Sequence, residues 1–328
     1  SRFLLQKHSK RWDSVPVPHV SVDDLSSSAF DYFRKKATQT GRLDIDVLKE
    51  SNHTLIQKLR LKDTDYLKRA ALLLFHPDPE QFFTGAYVKI GFFRTPSDLR
   101  FQDVIQGYLF EQVEKTMDLL MSKYLEAQIR YEGISRIEEY PYPEPALREA
   151  LLNAIAHKDY GSGNPIQIKV YEDRINFWNA GQLPDSLTVD SLLTDHPSIP
   201  FNPDIATTFF RAGLIEAWGR GTLKIMEECR KANLPSPVFS SDSSGFGIEF
   251  KKAPEESSGK SSGKSSGKTP DEIIRLMSED GQITIPEIAA HLGLSNRAVE
   301  KQIAKLKEEN RIRRVGPSKG GYWEVVGE

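Results

Sequence analysis

Arg148-Glu149-Ala150-Leu151-Leu152-Asn153-Ala154-Ile155-Ala156-His157-Lys158-Asp159-Tyr160 is the stretch on which the fold turns. Its small and apolar residues predict a helix over 146–157, and Glu149, Asn153 and His157 recur every four residues, so they share one stripe. Ala150, Leu151, Ala154 and Ile155 populate the other side. A carboxylate on such a stripe can orient a water, and an amide oxygen can ligate Mg²⁺ bound to phosphates. Spacing alone leaves a plainer reading open, in which Glu149 pairs with Arg148 or Lys158 and Asn153 satisfies backbone groups. His157, at the helix end, is expected to stabilise exposed carbonyls rather than hold a metal.

Outward from this helix, Tyr140-Pro141-Tyr142-Pro143-Glu144-Pro145 interrupts regular structure, because each proline lacks a backbone donor and restricts the residue before it. A new unit is expected to start there. After the helix and a glycine-rich turn at 159–164, residues 166–171 and 174–178 alternate like two strands joined by Glu172-Asp173. Asn179-Ala180-Gly181-Gln182-Leu183-Pro184 ends the pair. A helix is expected over 205–211, and Gly219-Arg220-Gly221-Thr222 opens another that runs past Cys229. A loop at a helix start supplies free backbone donors and a positive dipole end, which suits an anion. A last strand falls at 247–250. Before residue 140, residues 66–75 read as a helix or a buried strand, 86–93 as a strand, and 110–125 as a helix with its apolar residues on one face.

Residues 257–268 repeat Ser-Ser-Gly-Lys three times, a composition that cannot bury apolar surface and therefore predicts a flexible tether. A phosphate loop there fails, since the pattern needs glycine where Ser262 stands. Beyond it, Thr269-Pro270-Asp271-Glu272 and Thr284-Ile285-Pro286-Glu287 are capping boxes that start two helices. Ser295 caps a third, with Val299, Ile303 and Leu306 inward. Strands at 312–315 and 322–326 flank a glycine-rich loop. Three short helices and a hairpin in about 60 residues describe a winged helix-turn-helix. Between Arg297 and Lys319 there are eight cations against three anions. Such an excess suits phosphate neutralisation. Ser295, Asn296, Arg297, Lys301, Lys305, Arg313, Arg314 and Lys319 are the candidate DNA-binding residues, and Asn296, Arg297, Glu300 and Lys301 would face base edges. The bland alternative is a protein-docking module.

Composition bounds the rest. The 328 residues predict two or three domains at roughly 150 residues each. A net charge of -2 excludes a polyelectrolyte, though it can average segments of opposite sign. The single Cys229 excludes an internal disulfide, which fits a reducing cytoplasm. The longest strongly apolar run, 70–75, falls short of the roughly 20 residues of a membrane helix, and Ser1-Arg2-Phe3-Leu4 has no signal-peptide pattern, so no membrane role is expected.

The 148–160 stretch, Asn179-Ala180-Gly181-Gln182-Leu183-Pro184, Gly213-Leu214-Ile215-Glu216 and Gly219-Arg220-Gly221 together resemble a bacterial family of transcriptional regulators labelled RecG-related, with a divergent ATP-binding domain. Residues 285–289 and 294–295 resemble bacterial transcription-factor winged helices. The resemblance implies a Bergerat-type (GHKL-like) α/β sandwich and an α+β chain, with ATP and Mg²⁺ as cofactors. It also implies a Schlafen/AlbA-like domain ahead of this segment. By resemblance Glu149 is the general base, Asn153 the magnesium and nucleotide ligand, Asn179 and Gly181 the adenine contacts, and Gly219, Arg220 and Gly221 the phosphate lid. Asn179 departs from the family's working ATPases, which place Asp there. The expected organisation is a mixed α/β region over 1–140, the GHKL-like domain over 141–252, a linker over 253–268 and the winged helix over 269–328. Three functions stand: a dimeric DNA-binding regulator that senses a nucleotide or small-molecule effector, an ATP-dependent enzyme on nucleic acid, and a non-DNA scaffold. Lack of a phosphate loop disfavours the second.

Overall fold

The computed structural model describes residues 11–132, 135–184, 186–216, 219–253, 268–292, 294–309, 311–316 and 321–325. The chain divides into two compact units, Ser1–Pro254 and Glu255–Glu328.

In the first unit, β1 (Pro16–Val17) precedes α1 (Ser27–Thr40), α2 (Ile45–Lys49) and α3 (Asn52–Lys58). Ser26, Asp44 and Ser51 open these helices by accepting a first-turn N–H, the role their short polar side chains favour. β2 (Lys62–Asp63) and β3 (Tyr66–Lys68) join β1 in a small sheet, and α4 (Arg69–Phe75) follows. The ambiguous stretch 66–75 is thus a strand and then a helix that is buried from Ala70 to Phe75.

β4 (Val88–Thr95) and β5 (Asp98–Ile105) form a hairpin. α5 (Leu109–Leu119) runs into a π turn over Leu120–Tyr124, β6 (Gln128–Glu132) and β7 (Ser135–Glu139) pair alone, and α6 (Glu144–His157) carries the opening motif. Then come β8 (Ile166–Val170), β9 (Arg174–Asn179), α7 (Pro203–Arg211), α8 (Gly221–Lys231), β10 (Val238–Ser241) and β11 (Phe246–Lys251). The main sheet has the order β10-β11-β9-β8-β4-β5, antiparallel except for the parallel pair β4 and β8. Strands β8 and β9 alternate: Ile166, Ile168, Val170, Ile175, Phe177 and Asn179 are buried, and the residues between them are not. One face therefore meets the core.

Because β4 pairs with β8, residues on both sides of 140 share one sheet and one hydrophobic core. The proline-rich stretch expected to open a new unit leads instead into α6 of the same core. Prolines report the local loss of backbone donors, not which strands pair across it.

The second unit comprises α9 (Lys268–Glu279), α10 (Ile285–Leu292), α11 (Asn296–Glu308), β12 (Ile312–Val315) and β13 (Tyr322–Val325). α9 starts one residue ahead of the expected cap Thr269. Ile273, Met277, Ile288, Val299, Ile303, Leu306, Ile312 and Trp323 form its core. At the second capping box, Thr284 donates through its N–H and its hydroxyl to Glu287 Oε2, at 2.8 and 2.7 Å. β12 and β13 are antiparallel, and the Trp323 N–H donates to the Gly281 carbonyl at 2.6 Å, tying the hairpin to the turn after α9. No helix among the described residues is long and apolar enough to cross a membrane.

One tertiary cap spans most of the first unit. Asn202 gives α7 no side-chain cap. Asp13 Oδ2 supplies it, accepting the N–H groups of Asp204 at 2.8 Å and Ile205 at 3.2 Å. Lys68 and Ser14 hold the Asp204 carboxylate at 3.0 and 2.8 Å. Asp13 is fully buried, and burial, aided by the Asp204 charge, pushes its carboxyl up to about 7 against the pull of the two backbone donors. That value lies above the unfolded one, so the folded state holds the proton more tightly; the stability that this group contributes is fully present below about pH 4 and is lost as pH rises through about 7. Asp13→Asn, which keeps an acceptor but cannot titrate, is expected to flatten this slope of denaturant midpoint against pH. Asp13→Ala is expected to cost about 1–2 kcal/mol, the loss of a helix cap. An unchanged slope in Asp13→Asn would assign the dependence elsewhere.

Candidate functional site

Glu149 and Asn153 sit one turn apart on α6, and the Asn153 amide donates to Glu149 Oε1 at 3.4 Å. α8 crosses against them. Gly221, its first residue, lies so close that a Cβ there would stand 2.6 Å from Glu149 Oε1 and 2.8 Å from Asn153 Nδ2. A side chain there would push both groups aside, and glycine spares them that shift. Just ahead, Gly219 has φ +67° and packs on the backbone of residues 196–198, so a side chain there would be both strained and blocked.

Behind this contact lies a cleft open to solvent. Its walls include Glu149, Asn153 and His157 from α6, Asn179 and Gly181 from the end of β9, and Gly219, Arg220 and Gly221 from the start of α8. Every cleft residue expected from the sequence lines it. Phe177, Leu183, Leu192, Phe246 and Ile248 add apolar surface.

Sequence reasoning missed three contributors. Loop residue His196 lines the cleft, with its Nε2 3.1 Å from the Thr222 hydroxyl. Glu216 lines it too. Lys224, on the first turn of α8, places its Nζ 3.5 Å from Glu149 Oε2. The loop has no periodicity to betray it, and the partner of Glu149 lies 75 positions away in sequence. The nearby cations proposed for Glu149 are otherwise engaged. Arg148 bridges Glu114 at 3.1 Å and Glu144 at 3.3 Å, while Lys158 is wholly buried with its Nζ 4.4 Å from the Tyr160 ring centre.

Burial holds the Glu149 carboxyl above its ordinary range; Lys224 pulls it back, and the Glu216 charge adds to the rise. His157 departs from its expected role. Burial, with the neighbouring His196, lowers its imidazole to about 4, so it is neutral near pH 7 and adds no cation at the end of α6. Asn179 is 3% exposed. Its Nδ2 donates to the Ala180 carbonyl at 3.2 Å, which leaves Oδ1, on a cleft-lining residue, without a partner among the described residues. Arg220 provides no side-chain cap, so the first N–H groups of α8 at the cleft lack intrahelical acceptors. No group of three or more His, Cys, Asp or Glu among the described residues is arranged to hold a metal ion.

In the second unit, the expected DNA-binding residues fall on α11 and β12. Ser295 caps α11, accepting the Ala298 N–H at 3.3 Å. Asn296, Arg297, Lys301 and Lys305 are exposed, with Arg297, Lys301 and Lys305 four apart on one stripe opposite Val299, Ile303 and Leu306. Lys305 pairs with Glu309 at 3.7 Å, and Arg313 with Glu324 at 2.5 Å. The Arg314 guanidinium lies 4.8 Å from the Trp323 ring centre and donates to the Gly321 carbonyl at 3.2 Å. Arg297 and Lys301 have no ion pair among the described residues. Lys319 lies outside the described residues.

Comparison with known proteins places two domains. Residues 163–250 match the family described as "Putative ATP-dependent DNA helicase recG C-terminal", and 272–313 match "Winged helix-turn-helix DNA-binding". The first match begins after α6, so it includes Asn179, Gly181 and residues 219–221 but not Glu149 or Asn153. No curated protein matches the chain significantly. Among solved structures, the DIP2311 protein from Corynebacterium diphtheriae aligns with a TM-score of 0.61 at 16% identity, over 99% of this chain and 66% of that one. That likeness is one of fold, and this chain spans just under two thirds of that protein's length. The chain therefore carries a segment that matches the RecG C-terminal family, followed by a segment that matches a winged helix-turn-helix.

Proposed function

We propose that the protein is a cytoplasmic transcription regulator that binds double-stranded DNA through α11 and the β12–β13 hairpin, and that its ATPase-type cleft senses a nucleotide. The observation that carries the DNA reading is the exposed stripe of Arg297, Lys301 and Lys305, whose first two members have no ion pair among the described residues. Cations held in no protein ion pair can exchange solution counterions for phosphates without first breaking a contact. An N-terminal recognition-helix position suits Arg297 and Lys301 for base edges, whereas Arg313 and Arg314, held by the hairpin, suit the backbone.

The cleft fits a nucleotide by its donor set. Apolar walls suit a base, Asn179 Oδ1 can accept from an exocyclic amino group, and Arg220 with the start of α8 suits phosphates. Asn153 would be the residue to hold Mg²⁺, whose role when bound would be to neutralise phosphate charge. Glu149 is a candidate general base by position, yet Lys224 holds its carboxylate, which favours a sensor over an enzyme.

Replacing Arg297 and Lys301 together by alanine is expected to weaken binding to duplex DNA at least tenfold and to lower the dependence on salt, measured by fluorescence anisotropy from 50 to 200 mM salt. Unchanged affinity would remove α11 from the interface. Calorimetry of the full chain with ATP and Mg²⁺ is expected to give a saturable heat; no heat and no melting shift would leave the cleft a structural feature. Two-fold operators favour two-fold proteins, so light scattering is expected to give a mass of two chains at micromolar concentration, and a one-chain mass with and without DNA would exclude the dimer.

A further inference from the structure

The ion pair between Lys224 and Glu149 joins two groups of unequal freedom. The Glu149 side chain is 8% exposed and is further fixed by the Asn153 amide, whereas the Lys224 side chain is 43% exposed on a flexible four-carbon stem. A buried carboxylate without a cation is costly, so an empty cleft draws Lys224 inward. Arg220 and the unfilled N–H groups of Gly221 and Thr222 border the same space, one helical turn from Lys224. An anion seated at that helix start would compete with Glu149 for the lysine. The cleft supplies a second observation: apolar Phe177, Leu183 and Leu192 line the same space as the polar Asn179 and Arg220, and it is open to solvent.

We propose that Lys224 is a two-position latch that pairs with Glu149 in the empty cleft and turns to the phosphate chain of a bound nucleoside polyphosphate. This rests on the nucleotide reading of the cleft and specifies how the site is regulated. Glu149 then acts as a gatekeeper: its charge holds the lysine, so a ligand must carry enough negative charge to win Lys224 away. Monophosphates are discriminated against and polyphosphates are favoured.

The test titrates ATP, ADP and AMP into the full chain by calorimetry, for the wild type, Lys224→Ala, Lys224→Arg, Glu149→Gln and the Glu149→Gln/Lys224→Ala double variant. Lys224→Ala is expected to weaken ATP about tenfold and AMP by less than twofold, with Lys224→Arg close to wild type. Glu149→Gln frees the lysine and is expected to tighten ATP several-fold. The double variant is expected to match Lys224→Ala, because freeing the lysine gains nothing once it is absent. Equal ATP affinity in wild type and Lys224→Ala, or weakening by Glu149→Gln, would overturn the latch while leaving nucleotide binding intact. A wild type that binds none of the three nucleotides would overturn the nucleotide reading and the latch with it. Thermal melting of each variant checks the fold, and Lys224→Met replaces Lys224→Ala should the latter fail to fold.

Discussion

The parallel pairing of β4 with β8 is the constraint that organises the first unit. Antiparallel neighbours can be joined by a tight turn, but parallel strands need the chain to cross over the sheet and return. Here the return consumes the whole interval from residue 96 to 165, and after the β5 hairpin it is filled by α5, the β6–β7 hairpin and α6. α6 is delivered to the buried face of β9 by that crossover. Its inward residues, Ala146, Leu147, Ala150, Leu151 and Ala154, are buried, which fixes its rotation and leaves Glu149 and Asn153 at the edge where α8 arrives. Without this crossover, the end of β9 and the stripe on α6 would not line the same cleft.

What α8 then contributes is eased by the absence of a side chain at its first residue. The helix start can sit on Glu149 and Asn153 because Gly221 has no side chain, and the approach sets positive dipole, Arg220 and Lys224 against a buried carboxylate. The balance of charges is close. Burial makes the Glu149 anion expensive, Glu216 makes it more so, and Lys224 offsets them from a half-exposed position where water weakens the pair. Such a pair can orient both groups and still exchange, which is what the proposed response of the cleft to an anion would require.

The sequence made the parts of this site legible wherever a single element carries them. The stripe of Glu149, Asn153 and His157 follows from four-residue spacing, the start of α8 from glycines before an apolar run, and α10 and α11 from caps followed by inward Val299, Ile303 and Leu306. Pairings between elements left no such trace. β5 was unreadable because seven of its eight residues are at least partly exposed with no clean alternation, and the β4–β8 register depends on complementarity across 78 positions. The Asp13 cap of α7 and the Lys224–Glu149 pair are likewise contacts of distant residues, chosen by tertiary geometry rather than by local propensity. His157 shows the limit from the other side: its place was legible, but its charge state depends on burial that periodicity does not report.

Local pairing also decides what the charge pattern means. A net charge of -2 conceals the eight cations between residues 297 and 319, yet even that count overstates what is free for a polyanion. Arg313 is matched by Glu324 across the hairpin, Lys305 by Glu309 along the helix, and Arg314 and Lys307 lie 4.8 and 5.0 Å from the centre of the Trp323 ring. Those four hold the hairpin and the end of α11 in shape and meet a phosphate only by sharing or breaking an existing contact. Arg297 and Lys301 carry no such cost, and they stand at the end of α11 nearest its cap, where a helix laid in the major groove reaches deepest. Exposure and pairing together, rather than the sum of charges, therefore single out two residues of the stripe as the ones that the proposed DNA contact would use at least cost.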